Sequence, residues 1–452
     1  MLALGAGTVR AQEPPVITLP VITLRLSPRE SIEVAAEKET QVPQDAKAKP
    51  EDDFEKIVPP DSGITASSEG PGELDEDPFG PTPLNKVGIL QNLLFGEDAD
   101  AAKIKFSGWL DLDYTYRSTG PGRTDIAPVM NRFGNEFLLR QIGLYVSKPL
   151  DPNAWSWGFN SIFIGGADAS FLGPTAGGWE NSNPRFGGQW TDLSLTAHLP
   201  ILTAGGVDIK AGRQTTILGP VGALPWQRYF NSCDYAWYNL EEGRYTGVSS
   251  IWHVTSRLHW YNGVEIGGWG VFFANPAHAA SYITNITYWL DEDAQRTKVW
   301  TTVLTGSTGF FEHGNTTTVE AGLLHNWNRY VYQIVDAHIT YSKAPLFFAP
   351  PPGYQQRAYD LYTIVGLHVN RHVDFNTRFE WYKDVDGGGY PGGFGIPHTD
   401  YFEMTYGIDY HPTRWVQVRP EIRYDHATNP AFGEARNQAD QLSLAMELFL
   451  KF

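Results

Sequence analysis

The chain of 452 residues has a single cysteine, Cys233. No intramolecular disulfide can form, and Cys-x-x-Cys metal or redox motifs are excluded, which leaves a buried or loop thiol. Long hydrophobic runs are also missing. No stretch approaches the roughly 18 apolar residues of a membrane-spanning helix. Mean hydropathy is −0.31. That removes helical spans but not barrel strands, whose alternation hides their apolarity from any average. There is no basic patch, so nucleic acid is not an expected partner. No Gly-x-Ser-x-Gly nucleophile motif occurs, and no repeat of about 40–50 residues carries propeller-blade signatures. The 12 histidines are scattered. His253 with His259, and Asp336 with His338, lack a metal-ligand pattern, so neither a metal nor a cofactor is expected. Asp384-Val385-Asp386-Gly387 looks like half a calcium loop, but Gly395 stands where the later Glu ligand belongs.

The net charge of −17 is unevenly spread. Between Glu13 and Asp100 there are 19 acidic and 7 basic residues, and the remainder of the chain is only mildly acidic. Residues 1–12 are mostly small and apolar, and Val9 and Ala11 fit the pattern before a signal-peptidase cut. A basic n-region is missing, so this is read as a signal-peptide remnant. Residues 13–85, rich in Pro, Glu, Asp, Ser and Lys, cannot bury enough apolar area to offset their ordering entropy. They are expected to form a disordered, acidic, Pro-rich periplasmic arm. Residues 86–102 are a short pre-barrel segment, where Val87 to Phe95 could make one or two helical turns.

What is abundant is aromatic residues, with 15 Trp and 22 Tyr, and residues that alternate. Leu442, Leu444, Met446, Leu448, Leu450 and Phe452 take every second position at the C-terminus. Ser443, Ala445, Glu447, Phe449 and Lys451 lie between them. Period two places the sets on opposite faces of a strand. The same pattern runs through Ile104 to Arg117, where only Trp109 breaks the polar face. It recurs in Val373 to Trp381 and Val416 to Asp425. Comparable segments predict about sixteen strands, near 104–117, 136–148, 154–166, 189–199, 206–215, 244–254, 256–265, 280–291, 296–306, 316–327, 329–342, 356–370, 372–384, 400–411, 414–427 and 439–452. The connections between them alternate between long and short. Long external loops and tight periplasmic turns characterise outer-membrane barrels, and a soluble sandwich has no reason to obey that rule. The expected fold is all-β: a transmembrane antiparallel up-and-down β-barrel over 103–452.

Specific stretches also look familiar. They are Phe379-Glu380-Trp381-Tyr382-Lys383-Asp384, Tyr406-Gly407-Ile408-Asp409-Tyr410-His411-Pro412 and Arg419-Pro420-Glu421-Ile422-Arg423-Tyr424-Asp425, with Lys210-Ala211-Gly212-Arg213 and Tyr245-Thr246-Gly247-Val248. Together they resemble the OmpL-like β-barrel porin-2 family, over roughly residues 100–452. The resemblance implies an outer-membrane barrel assigned as a porin, and does not name the solute.

Barrels of about 16 strands leave an aqueous channel. A Lys or Arg facing lipid at mid-membrane costs roughly 2–4 kcal/mol. Arg378, Arg419 and Arg423 should therefore face the lumen beside Glu380 and Glu421. Asp374, Lys210 and Arg213 are further pore-lining candidates, and Arg140 and Gln141 could add to the wall. These charges either set ion selectivity or neutralise each other and stiffen the wall. The segment Thr216 to Gly243 is the candidate for an inward-folded constriction loop, with Trp226, Arg228, Tyr229, Tyr235 and Trp237. Packing within an ordered external loop would use the same aromatics. Phe452 resembles the terminal aromatic read by the barrel-assembly machinery. The leading function is passive diffusion of small hydrophilic solutes or ions. The alternatives are a closed barrel anchoring the envelope and a barrel enzyme. Outer-membrane lipids, the assembly machinery and the solutes are the expected partners, and a homotrimer stays open.

Overall fold

The computed structural model describes residues 89–96, 103–120, 122–123, 133–171, 185–241, 243–268, 280–291, 296–307, 315–342, 356–370, 372–387, 396–413 and 415–452. The signal-like segment and the acidic arm lie outside the described residues.

Sixteen strands form the body of the protein: β1 (Lys105–Arg117), β2 (Phe137–Lys148), β3 (Ser156–Gly166), β4 (Gly187–Leu199), β5 (Val207–Thr215), β6 (Arg244–His253), β7 (Leu258–Gly268), β8 (Ser281–Trp289), β9 (Thr297–Gly306), β10 (Thr316–Asn326), β11 (Val331–Ser342), β12 (Gln356–Asn370), β13 (Val373–Asp384), β14 (Thr399–Thr413), β15 (Val416–Ala427) and β16 (Asp440–Lys451). Each lies within three residues of its predicted bounds at either end. Consecutive strands pair antiparallel, and β1 pairs with β16 to close the ring. Closure matters because a hydrocarbon layer offers no partner to an open sheet edge. The seam runs from Trp109 opposite Lys451 to Arg117 opposite Ser443. Phe452 extends it, its N–H donating to the Gly108 carbonyl at 2.9 Å while the Gly108 N–H donates to the Phe452 carbonyl at 2.7 Å.

Alternation sorts the side chains as the sequence predicts. On β16, Leu442, Leu444 and Met446 are exposed, whereas Gln441, Ser443 and Glu447 are buried. Exposed aromatics gather toward both strand ends. Trp155, Trp157, Trp260 and Trp327 flank short connections, and Tyr116, Phe137, Tyr282 and Phe402 flank long ones. Such girdles suit the two membrane–water interfaces. Among the described residues, no helix is long and apolar enough to cross a membrane.

Two bulges alter the alternation where it matters. Asp111 pairs with Gln141 but Leu112 pairs with Leu139, so Arg140 is an extra residue in β2. Arg140 and Gln141 are consecutive, and both are fully buried. On β4, Ile162 pairs with Asp192 while Phe163 pairs with Trp190, which turns Thr191 and Asp192 inward together. A bulge re-aims side chains that a regular strand would send to opposite faces.

The pre-barrel segment forms a short helix, α1 (Ile89–Phe95). Its buried Gln91 donates to the Ile104 carbonyl at 3.1 Å and accepts from the Phe106 N–H at 2.7 Å. The Phe95 ring lies tilted against Phe106, with centroids 5.8 Å apart. The helix therefore docks beside the start of β1.

The exposed row on β16 yields a prediction. Met446→Arg, at mid-strand on the outward face, should lower unfolding stability in lipid vesicles by about 2–4 kcal/mol if it sits at the bilayer midplane. Denaturant titration of the refolded barrel measures this, and an unchanged midpoint would contradict the assigned face.

Candidate functional site

The connection from β5 to β6, residues 216–243, runs inside the ring. It meets inward-facing side chains of β1, β2, β10, β11 and β13 to β16, and its Leu218 packs with Tyr245, Ile251, Tyr261, Ile283 and Leu304 of β6 to β9. Pro225–Gln227 makes a 3-10 turn, and Tyr235–Asn239 forms a one-turn helix, α2. Asp234 caps that helix by accepting from the Trp237 N–H at 2.7 Å. Trp226, Arg228, Tyr229, Tyr235 and Trp237 are all buried.

A buried loop has backbone donors and acceptors that water cannot reach, and each needs a partner. The wall supplies them as charged side chains. On the acceptor side, Arg419 Nη2 donates to the Pro225 carbonyl at 2.6 Å, and Arg140 Nη1 to the Asn231 carbonyl at 2.9 Å. Arg378 donates to the Ser232 and Cys233 carbonyls, both at 3.2 Å. Arg423 Nη1 reaches the Cys233 carbonyl at 2.7 Å. On the donor side, the Ser232 N–H gives its hydrogen bond to Glu421 at 2.9 Å. Glu380 Oε1 accepts from the Tyr235 and Ala236 N–H groups at 2.6 and 3.1 Å. Charge-assisted hydrogen bonds of this kind are roughly twice as strong as neutral ones.

Side chains of the loop complete the network. Arg228 Nη2 bridges Asp111 at 2.8 Å and Glu447 at 3.0 Å. Asn231 donates to Asp113 at 2.5 Å, and the Tyr235 hydroxyl to Asp425 at 2.7 Å. Glu447 also lies 2.7 Å from Arg419 Nε and 3.9 Å from Arg140 Nη1 as an ion-pair partner. One carboxylate on the last strand thus gathers three guanidinium groups.

Apolar contacts fill the space between these bonds. Trp226 meets Trp109 edge-on at 4.7 Å and lies 6.2 Å from Phe449. Tyr235 packs between Tyr382 and Tyr401 at 5.9 and 5.7 Å. Phe230 lies under the Arg378 guanidinium, 4.9 Å from its centroid, and presses on Gly407. A Cβ at Gly407 would come within 2.9 Å of the Phe230 ring, so this close approach requires glycine.

The eight predicted pore-lining residues divide into two groups. Arg378, Glu380, Arg419, Glu421 and Arg423 face inward as expected, but each is buried and bound to the loop. Lys210, Arg213 and Asp374 have partners on the wall. Lys210 pairs with Asp192 at 2.6 Å, Arg213 donates to the Trp190 carbonyl at 3.1 Å, and Asp374 is 2.7 Å from His368 Nδ1. Asp374 also lines a small cavity beside the loop, with Tyr229, Asn376 and Asp409. Asp111, Asp113, Glu403, Asp425 and Glu447 are loop or anchor partners that sequence reasoning did not single out. The usable signal was Trp109 and Phe449, large apolar residues on otherwise polar faces.

Cys233 has no exposed surface, and burial together with the neighbouring Asp234 pushes its thiol well above the ordinary range. It reports on the docked loop. In the folded barrel it should resist maleimide labelling, because the thiolate is the reactive form. Arg378→Ala or Arg228→Ala removes one member of a buried pair, which costs about 3–5 kcal/mol. Labelling should then accelerate by about a hundredfold or more, since reaction follows local opening. Equal rates in variant and parent would refute the anchoring.

No curated protein matches the chain. Among solved structures, the barrel is similar to a loop L8 deletion mutant of OmpT from Vibrio cholerae, at TM-score 0.52 and 9% identity, covering 77% of this chain and 99% of that one. It is likewise similar to OmpF of Salmonella typhi in complex with daunomycin, at TM-score 0.52 and 12% identity, covering 77% and 97%. OprB of Pseudomonas putida gives TM-score 0.51 and 11% identity, covering 77% and 94%. These likenesses show the fold. Residues 103–452 match the family described as "Putative beta-barrel porin-2, OmpL-like", and the chain belongs to that family of outer-membrane β-barrels.

Proposed function

We propose that the barrel passes small hydrophilic solutes or ions passively, without catalysis, and that residues 216–243 set its narrowest section. The observation that carries this reading is the tethering of that loop to inward-facing charges on β1, β2, β13, β15 and β16. Conduction needs only a polar passage of fixed width, and a tethered loop fixes the width. Arg378, Glu380, Arg419, Glu421 and Arg423 then act on the pore through the loop they hold. Lys210, Arg213 and Asp374 belong to the wall itself.

Both ends of the barrel domain lie on the side of the short connections. Short turns are periplasmic in bacterial barrels, so the N-terminal arm and Phe452 are assigned to the periplasm. Phe452 is then placed where the assembly machinery would read it. The exposed apolar rows face outer-membrane lipid.

A second reading has support from one fact: all five candidate constriction residues are buried. A loop packed that closely suits a closed, anchoring barrel as well. Single-channel recording in a planar bilayer under a salt gradient separates the two. The porin reading predicts stable conductance steps that enlarge in Arg228→Ala. A silent parent with a conducting variant supports the closed barrel. Silence in both, from correctly folded protein, would end the channel reading.

A further inference from the structure

We infer that the C-terminal end of the inward loop carries a binding site for a Zn2+-type divalent cation, formed by Glu241, Asp336 and His338. One ligand atom from each lies within 4.8 Å of the other two, and all three residues are buried. The inference concerns how the loop is fastened, and it holds whether or not the barrel conducts.

The register explains the assembly. Asp336 and His338 are two apart on β11, so both face inward. His338 is directly opposite Glu320 on β10 and Asp360 on β12. Glu241 reaches the same point from the loop, just before β6. Four carboxylates therefore surround one imidazole, and among the described residues no lysine or arginine pairs with any of them. Buried carboxylates in that number need a positive partner.

Hydrogen bonding leaves the ligand atoms of Glu241 and His338 free, while Asp336 Oδ2 accepts from the Tyr362 hydroxyl at 3.2 Å. Glu241 is 1% exposed, yet neither carboxylate oxygen makes a hydrogen bond among the described residues. His338 is 1% exposed, and neither ring nitrogen makes one either. His338 Nε2 stands 3.4 Å from Glu241 Oε1 and 3.8 Å from Asp336 Oδ2. Zn–N and Zn–O bonds near 2.0–2.2 Å in a tetrahedron separate ligand atoms by about 3.3 Å, so the spacing suits one ion between them. The other ring nitrogen, Nδ1, faces Asp360 Oδ1 at 3.9 Å. A carboxylate behind the imidazole is the usual device for orienting a metal-bound histidine. The fourth position is left to water. One nitrogen ligand among few oxygens disfavours Ca2+ and Mg2+, which take six or more oxygens.

Asp336 and His338 alone showed no ligand spacing in the sequence. Glu241, brought in by the folded loop, completes the set.

The test uses the full chain, folded in detergent, stripped with a chelator and titrated with Zn2+ by calorimetry. A second histidine pair must be removed first: His253 Nδ1 lies 2.9 Å from His259 Nδ1 and could take up metal on its own. In the His253→Ala/His259→Ala background, one equivalent of Zn2+ should bind, and Ca2+ in hundredfold excess should not displace it. Glu241→Gln or His338→Gln should weaken binding at least about tenfold. Co2+ should replace Zn2+ and give the intense visible absorption of a tetrahedral site. Heat-modifiable mobility on gels confirms that each variant is folded. Should His338→Gln misfold, Glu241→Gln, in the loop, carries the test. No uptake by the folded background protein, or uptake unchanged in the folded variants, overturns the site.

Discussion

The structure depends on one constraint: a loop placed inside a barrel must find partners there for its own backbone. Residues 216–243 meet that constraint through charged side chains of the wall. Arg140, Arg378, Arg419 and Arg423 take carbonyl groups, and Glu380 and Glu421 take N–H groups. The interleaving of signs along β13 and β15 follows from this, because the loop offers acceptors and donors in turn. Neutralising the wall alone would need no such order.

Loop docking and ring closure are coupled through the same residues. Glu447 lies on β16, across the seam from Asp113, and both carboxylates hold loop residues. The bulge in β2 turns Arg140 and Gln141 inward side by side, and Gln141 donates to the Ala223 carbonyl at 2.9 Å. The site is therefore complete only once the last strand has joined the first. The inferred cation would fasten the C-terminal end of the loop to β11.

The barrel was legible because its physics is local. A strand half in lipid and half in a polar interior must alternate, and the alternation of Leu442 to Phe452 is visible in eleven residues. The inward direction of Arg378, Arg419 and Arg423 was legible for the same reason, since lipid would not take them. Their task was not. Arg228 meets Asp111 and Glu447, residues 117 and 219 positions away, and no spacing rule connects such distances. The bulge at Arg140 depends on its partner strand and left no mark in the sequence. Trp109 and Phe449 did leave one. Both break polar faces, and both line the seat of Trp226.

Hydrogen–deuterium exchange read by mass spectrometry tests the tethered loop most directly. Peptides covering residues 230–237 should exchange as slowly as the flanking strands β5 and β6, because the Ser232, Tyr235 and Ala236 N–H groups are bound to wall carboxylates. Exchange of those peptides at the rate of a solvated loop, in a barrel whose strands remain protected, would contradict the account.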